Sequence, residues 1–180
     1  DGTALFLQAF EKYISKYNDV EYLFKNWKTK IRPVIEFLLN FRFKDYGLDD
    51  FYSKFLNDFP QFQKSGISLP SFDIWEQYYG IFTYTVTQVL SAYESAIKLA
   101  LVYEDVEILE KIKIAKDELY KSLISNLLDN STGGFFKGIH LEGTKVIQNL
   151  EADSSLVYLW KSNLFDIIDS KVTATMSDLI

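Results

Sequence analysis

Apolar positions recur with helical spacing along most of this chain, and they do so in two different patterns. Some predicted helices are apolar on nearly every side, and these cover residues 3–17, 75–101 and 153–164. Others carry an apolar stripe opposite a charged face, and these cover residues 20–40, 105–128 and the segment from Ser170 onwards. The two kinds alternate, which predicts three helical pairs.

Two residues add detail to the striped helices. Pro33 lies inside the helix predicted over 20–40, where a missing N–H and a steric clash with the preceding turn predict a kink or break. Asp105 stands at the start of the next striped helix and is expected to be its N-cap. The connections between pairs are long and cover 41–74, with one short helix near 49–57, and 129–152.

This alternation predicts an all-α fold class. A helix that is apolar all round must be surrounded by other elements, whereas a striped helix faces water. An inner ring of apolar helices wrapped by an outer ring satisfies both requirements. Because short turns make each pair antiparallel, the inner helices all point the same way. The long loops are then expected at one rim, where the inner helices begin.

Three carboxylates are predicted to line this rim, because Asp1, Glu76 and Asp153 each stand at or next to the start of an inner helix. Several aromatic residues are expected beside them: Trp75, Tyr78, Tyr79, Phe135 and Phe136. Flat rings next to carboxylates suit a sugar, whose C–H faces stack on aromatic rings while its hydroxyls bond to carboxylates. The rim is therefore a candidate carbohydrate site.

Some of these residues also have ordinary structural interpretations. Asp1 and Asp153 fit helix caps, since carboxylates are favoured at helix starts. The stretch Gly133-Gly134-Phe135-Phe136 lacks the lysine and hydroxyl of a P-loop and is interpreted as a turn. His140 is interpreted as a surface loop residue. Glu76 differs, because it follows a tryptophan and precedes two tyrosines, a costly place for a charge without a function.

Composition narrows the function classes. The chain has 180 residues, 48% of them hydrophobic and 17% aromatic, which suffices for a domain with a core and excludes a disordered chain. Charges interrupt every apolar run, so no membrane span is expected. The net charge of -6 argues against nucleic acid as a partner. With no cysteine and one histidine, neither a thiolate metal site nor a histidine-based zinc site is expected.

Three motifs, in this order, resemble one known family. They are Asp1-Gly2-Thr3-Ala4-Leu5, then Phe72-Asp73-Ile74-Trp75-Glu76, and finally Asp153-Ser154-Ser155-Leu156 with Asp169-Ser170-Lys171-Val172-Thr173-Ala174-Thr175-Met176. Together they resemble glycoside hydrolase family 15, the glucoamylases and their bacterial and archaeal relatives. The motif with Trp75 and Glu76 is the most specific of the three, and the resemblance covers nearly the whole chain.

The resemblance implies a fold and an activity. The fold is an (α/α)6 toroid of six helical hairpins, of which residues 1–180 form about half, a partial catalytic domain truncated at both ends. The activity is release of glucose, with inversion, from the ends of α-glucans or α-linked oligosaccharides. Glu76 is then the general acid, and the glutamate that acts as general base lies outside this chain. The isolated chain is accordingly expected to be inactive.

The same resemblance assigns substrate contacts. Asp73 and Trp75 would hold the sugar near Glu76, and Asp1 and Asp153 would be weaker contacts. Gln77 replaces a second glutamate that the family often carries, which keeps hydrogen bonding but removes a charge. No metal or cofactor is needed, because protonation and an activated water suffice for this hydrolysis. At the predicted helix start Glu76 would have a lowered pKa, whereas a general acid at neutral pH needs a raised one.

Alternatives stay open for substrate and partner. Tyr78 stands where many prokaryotic members carry arginine, and with Gln77 this leaves room for a trehalose- or isomaltose-type α-glucosidase. A non-catalytic regulatory or binding module is a further alternative, since the large subunits of phosphorylase kinase resemble the same family. A half ring would also expose apolar surface, so association with another copy, or with the remainder of the same domain, is expected.

Overall fold

The computed structural model describes residues 2–43, 50–151, 153–166 and 168–177. It combines helices with an antiparallel four-stranded sheet, so the predicted all-α toroid fragment is wrong. The strands lie in the two segments, 41–74 and 129–152, that were predicted to be long loops, and in residues assigned to the start of a helix. The sheet is therefore formed by the residues that were expected to make up the rim of the helical ring.

The first helical region runs through α1 (Gly2–Tyr17), α2 (Val20–Asn26) and α3 (Arg32–Asn40). A π-helical turn, Trp27–Ile31, joins α2 to α3. The expected break is present in the form of this π-helical turn, and Pro33 lies just beyond it in the first turn of α3, where no N–H is required. One apolar stripe continues through α2, the π-helical turn and α3, with Leu23, Trp27, Ile31, Ile35 and Leu38 all buried.

Helices α5 (Thr83–Tyr103) and α6 (Val106–Leu127) form the second hairpin. The turn between these two helices, residues 103–107, forms one helical corner. It has the same backbone arrangement as the corner between α1 and α2, residues 17–21. In each corner the first turn residue is left-handed, Asn18 with φ 52° and Glu104 with φ 64°. The aspartate that follows then caps the next helix, Asp19 at 3.1 Å and Asp105 at 3.2 Å from a backbone N–H. The predicted Asp105 cap is confirmed.

Helix α5 is the centre of the molecule and packs against α1, α6, α7 and β2. Most of its side chains are buried, as its all-round apolar pattern predicted. It starts at Thr83 rather than at residue 75, however. The Thr83 N–H donates to the Lys137 carbonyl at 3.0 Å, and its hydroxyl donates to the Phe136 carbonyl at 2.6 Å. These long-range bonds hold the chain extended up to the first turn of the helix.

The sheet consists of β1 (Ser71–Phe72), β2 (Tyr79–Phe82), β3 (Gly138–Glu142) and β4 (Lys145–Asn149), paired in chain order. Glycines permit the closest approach between β2 and β3. A Cβ at Gly80 would stand 2.1 Å from the Ile139 carbonyl oxygen, and one at Gly138 would stand 2.5 Å from the Ile81 carbonyl oxygen. In the turn between β3 and β4, Gly143 takes a φ of 59°, which favours glycine.

Shorter elements complete the chain. Helix α4 (Asp50–Asp58) confirms the short helix expected near 49–57, and a 3₁₀ turn, Pro60–Phe62, follows it. The helix predicted over 153–164 is instead a 3₁₀ turn, Ser154–Val157, that leads into the short α7 (Tyr158–Lys161). Helix α8 (Ser170–Ser177) begins at the residue expected from the sequence.

Among the described residues, helix α1 is partly covered, mainly by α5 and to a smaller extent by α3. Ala4, Leu7 and Ile14 are buried, in a helix that packs along α5. Leu5, Phe6, Tyr13 and Tyr17 on the same helix stay exposed. This helix was expected to be enclosed; instead its exposed side carries these apolar side chains together with Lys12 and Lys16. Association with a second copy or with another part of the same domain stays a prediction.

Candidate functional site

A tight turn over residues 73–78 presents the candidate acid, Glu76. The Asp73 carboxylate organises this turn, because its Oδ1 accepts from the backbone N–H of Gln77 at 2.7 Å and of Tyr78 at 3.2 Å. The Asp73 backbone closes the same turn: its N–H donates to the Tyr78 carbonyl and its carbonyl accepts from the Glu76 N–H. Glu76 takes a left-handed φ of 56°. A non-glycine residue in that conformation is held there by its surroundings.

Beneath the turn lies a buried lysine. The Lys137 Nζ is 3.3 Å from Asp73 Oδ2 and 3.1 Å from Asp153 Oδ2, and all three side chains are at least nine-tenths buried. The three residues come from segments far apart in the sequence. Since an unpaired buried ammonium is very costly, the two carboxylates are what permit lysine at this position.

Asp153 links this lysine to Trp75. Its Oδ2 accepts a hydrogen bond from the Trp75 indole Nε1–H at 3.1 Å, while its Oδ1 caps the 3₁₀ turn through the Ser155 N–H at 2.7 Å. The Trp75 side chain is nonetheless 54% exposed. Its edge is therefore anchored while much of the ring stays open to solvent, next in sequence to Glu76. Asp153 is therefore a cap, as expected, although of a 3₁₀ turn and not of an α-helix, and it lies beside Trp75. Its assignment as a substrate contact stays a prediction.

The Tyr78 ring lies beside the lysine and packs against the His140 ring. The Tyr78 ring centroid lies 5.2 Å from the Lys137 Nζ and 4.2 Å from the centroid of the His140 ring. A cation at this distance from an aromatic face is stabilised by it. His140 is buried on β3, so its interpretation as a surface loop residue is wrong. In the part of the chain that the structure describes, the His140 Nδ1 has no hydrogen-bond partner.

Electrostatics in the cluster favour the charged lysine and aspartate. Burial acts against the charged form of Lys137, yet its contacts with Asp153 and Asp73 raise the pKa above its ordinary value. Burial likewise acts against ionised Asp153, but hydrogen bonds from Ser155 and Lys137 lower its pKa. Burial lowers the pKa of His140, so its neutral form is favoured. The cluster therefore holds one cation between two anions beside a neutral imidazole.

Glu76 itself is exposed at the tip of the turn. It does not start a helix, so its expected position at the N-terminus of an inner helix is wrong. None of the described residues forms a hydrogen bond or ion pair with its carboxylate. Gln77 is exposed beside it. The Glu76 carboxyl and the neighbouring Trp75 ring are thus both exposed to solvent.

The other predicted site residues have different placements. Asp73 is buried and Asp153 is partly buried; each accepts a backbone N–H bond and forms an ion pair with Lys137. Asp1 lies outside the described residues. Phe135 and Phe136, expected at the rim, are buried in the core, where the Phe135 ring centroid lies 5.4 Å from that of Phe165.

Sequence reasoning missed Lys137 and the true setting of His140. One signal was present in the segment Phe136-Lys137-Gly138-Ile139-His140-Leu141, where a single charge stands among apolar residues and glycine. A lone lysine in such a stretch indicates either a paired buried charge or an exposed strand edge, and the sequence does not identify its partners. Those partners lie 64 residues before it and 16 residues after it, at Asp73 and Asp153.

Comparison of the chain with models of known protein families, with curated proteins and with solved structures found no match in any of the three. Across residues 2–43, 50–151, 153–166 and 168–177, no group of histidine and carboxylate side chains is arranged to hold a metal ion. Within the same ranges, no helix has the length and apolarity needed to cross a membrane. The geometry around Trp75 and Glu76 therefore carries the functional argument.

Proposed function

We propose that this chain carries the acid-catalyst site of a glycoside hydrolase that releases glucose, with inversion, from the ends of α-glucans or α-linked oligosaccharides. The observation that carries the proposal is the pairing of an anchored, half-exposed indole at Trp75 with an exposed carboxyl at Glu76. The indole offers a flat apolar surface to a sugar ring. The resemblance of the segment 72–76 to the catalytic segment of family 15 supports the same assignment.

In this proposal Glu76 protonates the glycosidic oxygen of the leaving group. The C–O bond breaks as a water, activated by a second carboxylate, attacks the opposite face of the sugar ring. That second carboxyl is required about 6.5–9.5 Å from the first in inverting enzymes. Asp73 and Asp153 are both paired with Lys137, so neither is a free base. In this proposal the general base therefore lies outside residues 1–180.

In this proposal the exposed side chains of Trp75 and Gln77 contact the substrate. Trp75 would stack on the sugar ring, and Gln77 would donate to or accept from its hydroxyls through an uncharged amide. Asp73 and Asp153 support the site from below through their bonds to the turn and to the indole. Because a neutral amide does not restrict the linkage strongly, trehalose and isomaltose are included as test ligands beside maltotriose.

Binding is the first test. The chain is titrated with maltotriose, trehalose and isomaltose while its tryptophan fluorescence is followed. We expect saturable binding of at least one sugar, its loss in Trp75→Ala, and its retention in Glu76→Gln, because the acid acts on the bond and not on affinity. Trp160→Ala is the matched control, since Trp160 is also half-exposed at 46% and lies outside the cluster. Binding that depends on Trp160 and not on Trp75 would contradict the proposal.

Hydrolysis is the second test. Glucose release is measured from the same sugars with the chain and with Glu76→Gln. We expect no release from the chain alone, because Lys137 occupies the two carboxylates of the cluster. Release that Glu76→Gln abolishes would uphold Glu76 as the acid and contradict the placement of the base outside the chain. Release that survives Glu76→Gln would contradict the acid assignment itself.

A further inference from the structure

We propose that Lys137 is the positioning residue of this site, setting the orientation of both Trp75 and Glu76 through its two aspartate partners. The inference rests on the proposed function for its meaning in catalysis. Its structural part, the control of the Trp75 indole by a buried ammonium, stands on the contacts alone. Among the described residues, Lys137 forms no hydrogen bond with Trp75 or Glu76, so its effect passes through Asp73 and Asp153.

The first arm runs through Asp73 to the backbone of the turn. One carboxylate oxygen of Asp73 faces the Lys137 ammonium at 3.3 Å, and the other accepts from the backbone N–H groups of Gln77 and Tyr78. Those two residues directly follow Glu76 and fix the end of the turn. Moving the Asp73 carboxylate would release these bonds and, with them, the left-handed conformation of Glu76.

The second arm runs through Asp153 to the indole. A single oxygen of Asp153, Oδ2, contacts the Lys137 ammonium at 3.1 Å and accepts from the Trp75 Nε1–H at 3.1 Å. The Trp75 ring is thus held at its polar edge by a carboxylate whose own position depends on the lysine. Glu76 lies between the two arms, one residue after Trp75 and one before Gln77.

The positive charge of Lys137 is the reason that this residue affects both sets of contacts, those through Asp73 and those through Asp153. With Lys137 in place, two carboxylates share one ammonium, at 3.3 Å and 3.1 Å. Without it, two anions would be buried near one another, which is unfavourable unless one takes up a proton or the segments separate. Either response weakens an oxygen that now accepts from the turn or from the indole. A neutral side chain at position 137 should therefore disturb Trp75 and Glu76 together.

The experiment uses the 180-residue chain with Lys137→Met, which keeps the length and apolar stem of the side chain and removes the charge. The first readout is the indole ¹H–¹⁵N spectrum, in which Trp27, Trp75 and Trp160 are distinguished and the Trp75 signal is assigned with Trp75→Phe. The second readout is the affinity for maltotriose. The matched control is Arg42→Met, which removes another buried cation, paired with Glu118 at 2.9 Å, outside this cluster.

We expect Lys137→Met to move the Trp75 indole signal toward the position of a solvent-bonded indole while the Trp27 signal stays in place. Affinity for maltotriose should fall at least about tenfold, the scale of losing one charge-assisted hydrogen bond. Arg42→Met should leave the Trp75 signal unchanged and affinity within about twofold. A folded Lys137→Met chain with an unchanged Trp75 signal and unchanged affinity would overturn the proposal.

A second variant keeps the test decisive if Lys137→Met does not fold. The triple variant Lys137→Met, Asp73→Asn, Asp153→Asn removes the ammonium without leaving unpaired buried charges. It is expected to fold and to bind maltotriose at least about tenfold more weakly, because neutral amides hold the turn and indole less strongly. Unchanged affinity in the triple variant would overturn the positioning role. If the unaltered chain binds none of the three sugars, the proposed function fails, while the Trp75 signal of either variant still decides the positioning role.

Discussion

At the scale of single residues, His140 and Lys137 illustrate opposite consequences of burial. Burial lowers the pKa of His140, and its neighbouring carboxylates do not restore it to the ordinary value. Burial acts on Lys137 in the same direction, but two direct carboxylate contacts outweigh it and raise the pKa. The difference is the presence of a paired anion at hydrogen-bonding distance. His140 is thus buried neutral, and Lys137 is buried charged.

Stability should consequently fall as the solution is acidified below the ordinary pKa of histidine, about 6.5. The unfolded chain then binds a proton that the folded chain, with its lowered His140 pKa, does not yet bind. The contribution of neutral His140 to the free energy of unfolding is therefore fully present above about pH 6.5. It decreases as the pH falls toward the pKa of His140 in the folded chain, by at most about 1.4 kcal/mol per pH unit for one proton. Urea unfolding at pH 7.5 and pH 5.5 measures this.

The matched variant for this prediction is His140→Gln, which removes the one histidine of the sequence and keeps a polar side chain. We expect it to be less sensitive to acidification over the same range than the unaltered chain. Equal pH dependence in the two proteins would show that other groups, and not His140, account for the loss.

At the scale of elements, the two helical corners share one backbone design and differ in what their aspartates contact. Asp19 caps α2 and accepts from the exposed Tyr13 hydroxyl at 2.8 Å. Asp105 caps α6, and its second oxygen accepts from the Trp27 Nε1–H at 2.9 Å and from Arg32 at 3.0 Å. The Trp27 side chain is fully buried. Asp105 therefore joins the α5–α6 corner to the π-helical turn and α3.

Replacing each aspartate by alanine distinguishes the stability contributed by the N-cap from that contributed by the bridge, the hydrogen bond between Asp105 and Trp27. Asp19→Ala should cost about 1 kcal/mol of unfolding free energy, the usual value of an N-cap. Asp105→Ala should cost about 3 kcal/mol, because the same cap is lost and the buried Trp27 N–H is left without its acceptor. Urea or thermal unfolding of both variants compares the two losses directly. Losses of equal size would indicate that the bridge to Trp27 contributes nothing beyond the cap.

At the scale of the whole molecule, stability is concentrated around α5. This helix is enclosed by α1, α6, α7 and the start of the sheet, and most of its side chains are buried. By contrast, α7 is four residues long, and α1 exposes one apolar face. Segments with many buried apolar contacts open only with global unfolding, whereas short peripheral elements open locally.

Amide hydrogen exchange should follow this distribution. We expect the amides of the middle of α5 to exchange only through global unfolding, with protection that falls steeply as urea is added. The amides of α7 should exchange faster and with little dependence on low urea concentrations, because they open locally. Exchange measured by mass spectrometry or NMR at several urea concentrations tests the ranking. Protection of α7 equal to that of α5 would contradict it.

What the sequence determined by itself was mainly local. The spacing of apolar residues indicated α1, α6 and the start of α8. The residue types at 33 and 105 indicated an interrupted helix and a cap that are both present. Such features depend on residues within one or two helical turns of each other. The resemblance of the Trp75–Glu76 segment to a catalytic motif also came from the sequence, and its chemical role is still a proposal.

Only the tertiary structure decided the sheet and the setting of the site. Strands of two to five residues are too short for alternation to be diagnostic, and β2 pairs with β3 across more than fifty residues of chain. That pairing, with the bonds of Thr83, replaces the predicted first turns of a helix, because hydrogen bonds to distant strands outweigh local propensity. Lys137 finds its partners in the same way, since no local pattern states which carboxylates will be buried beside a lysine.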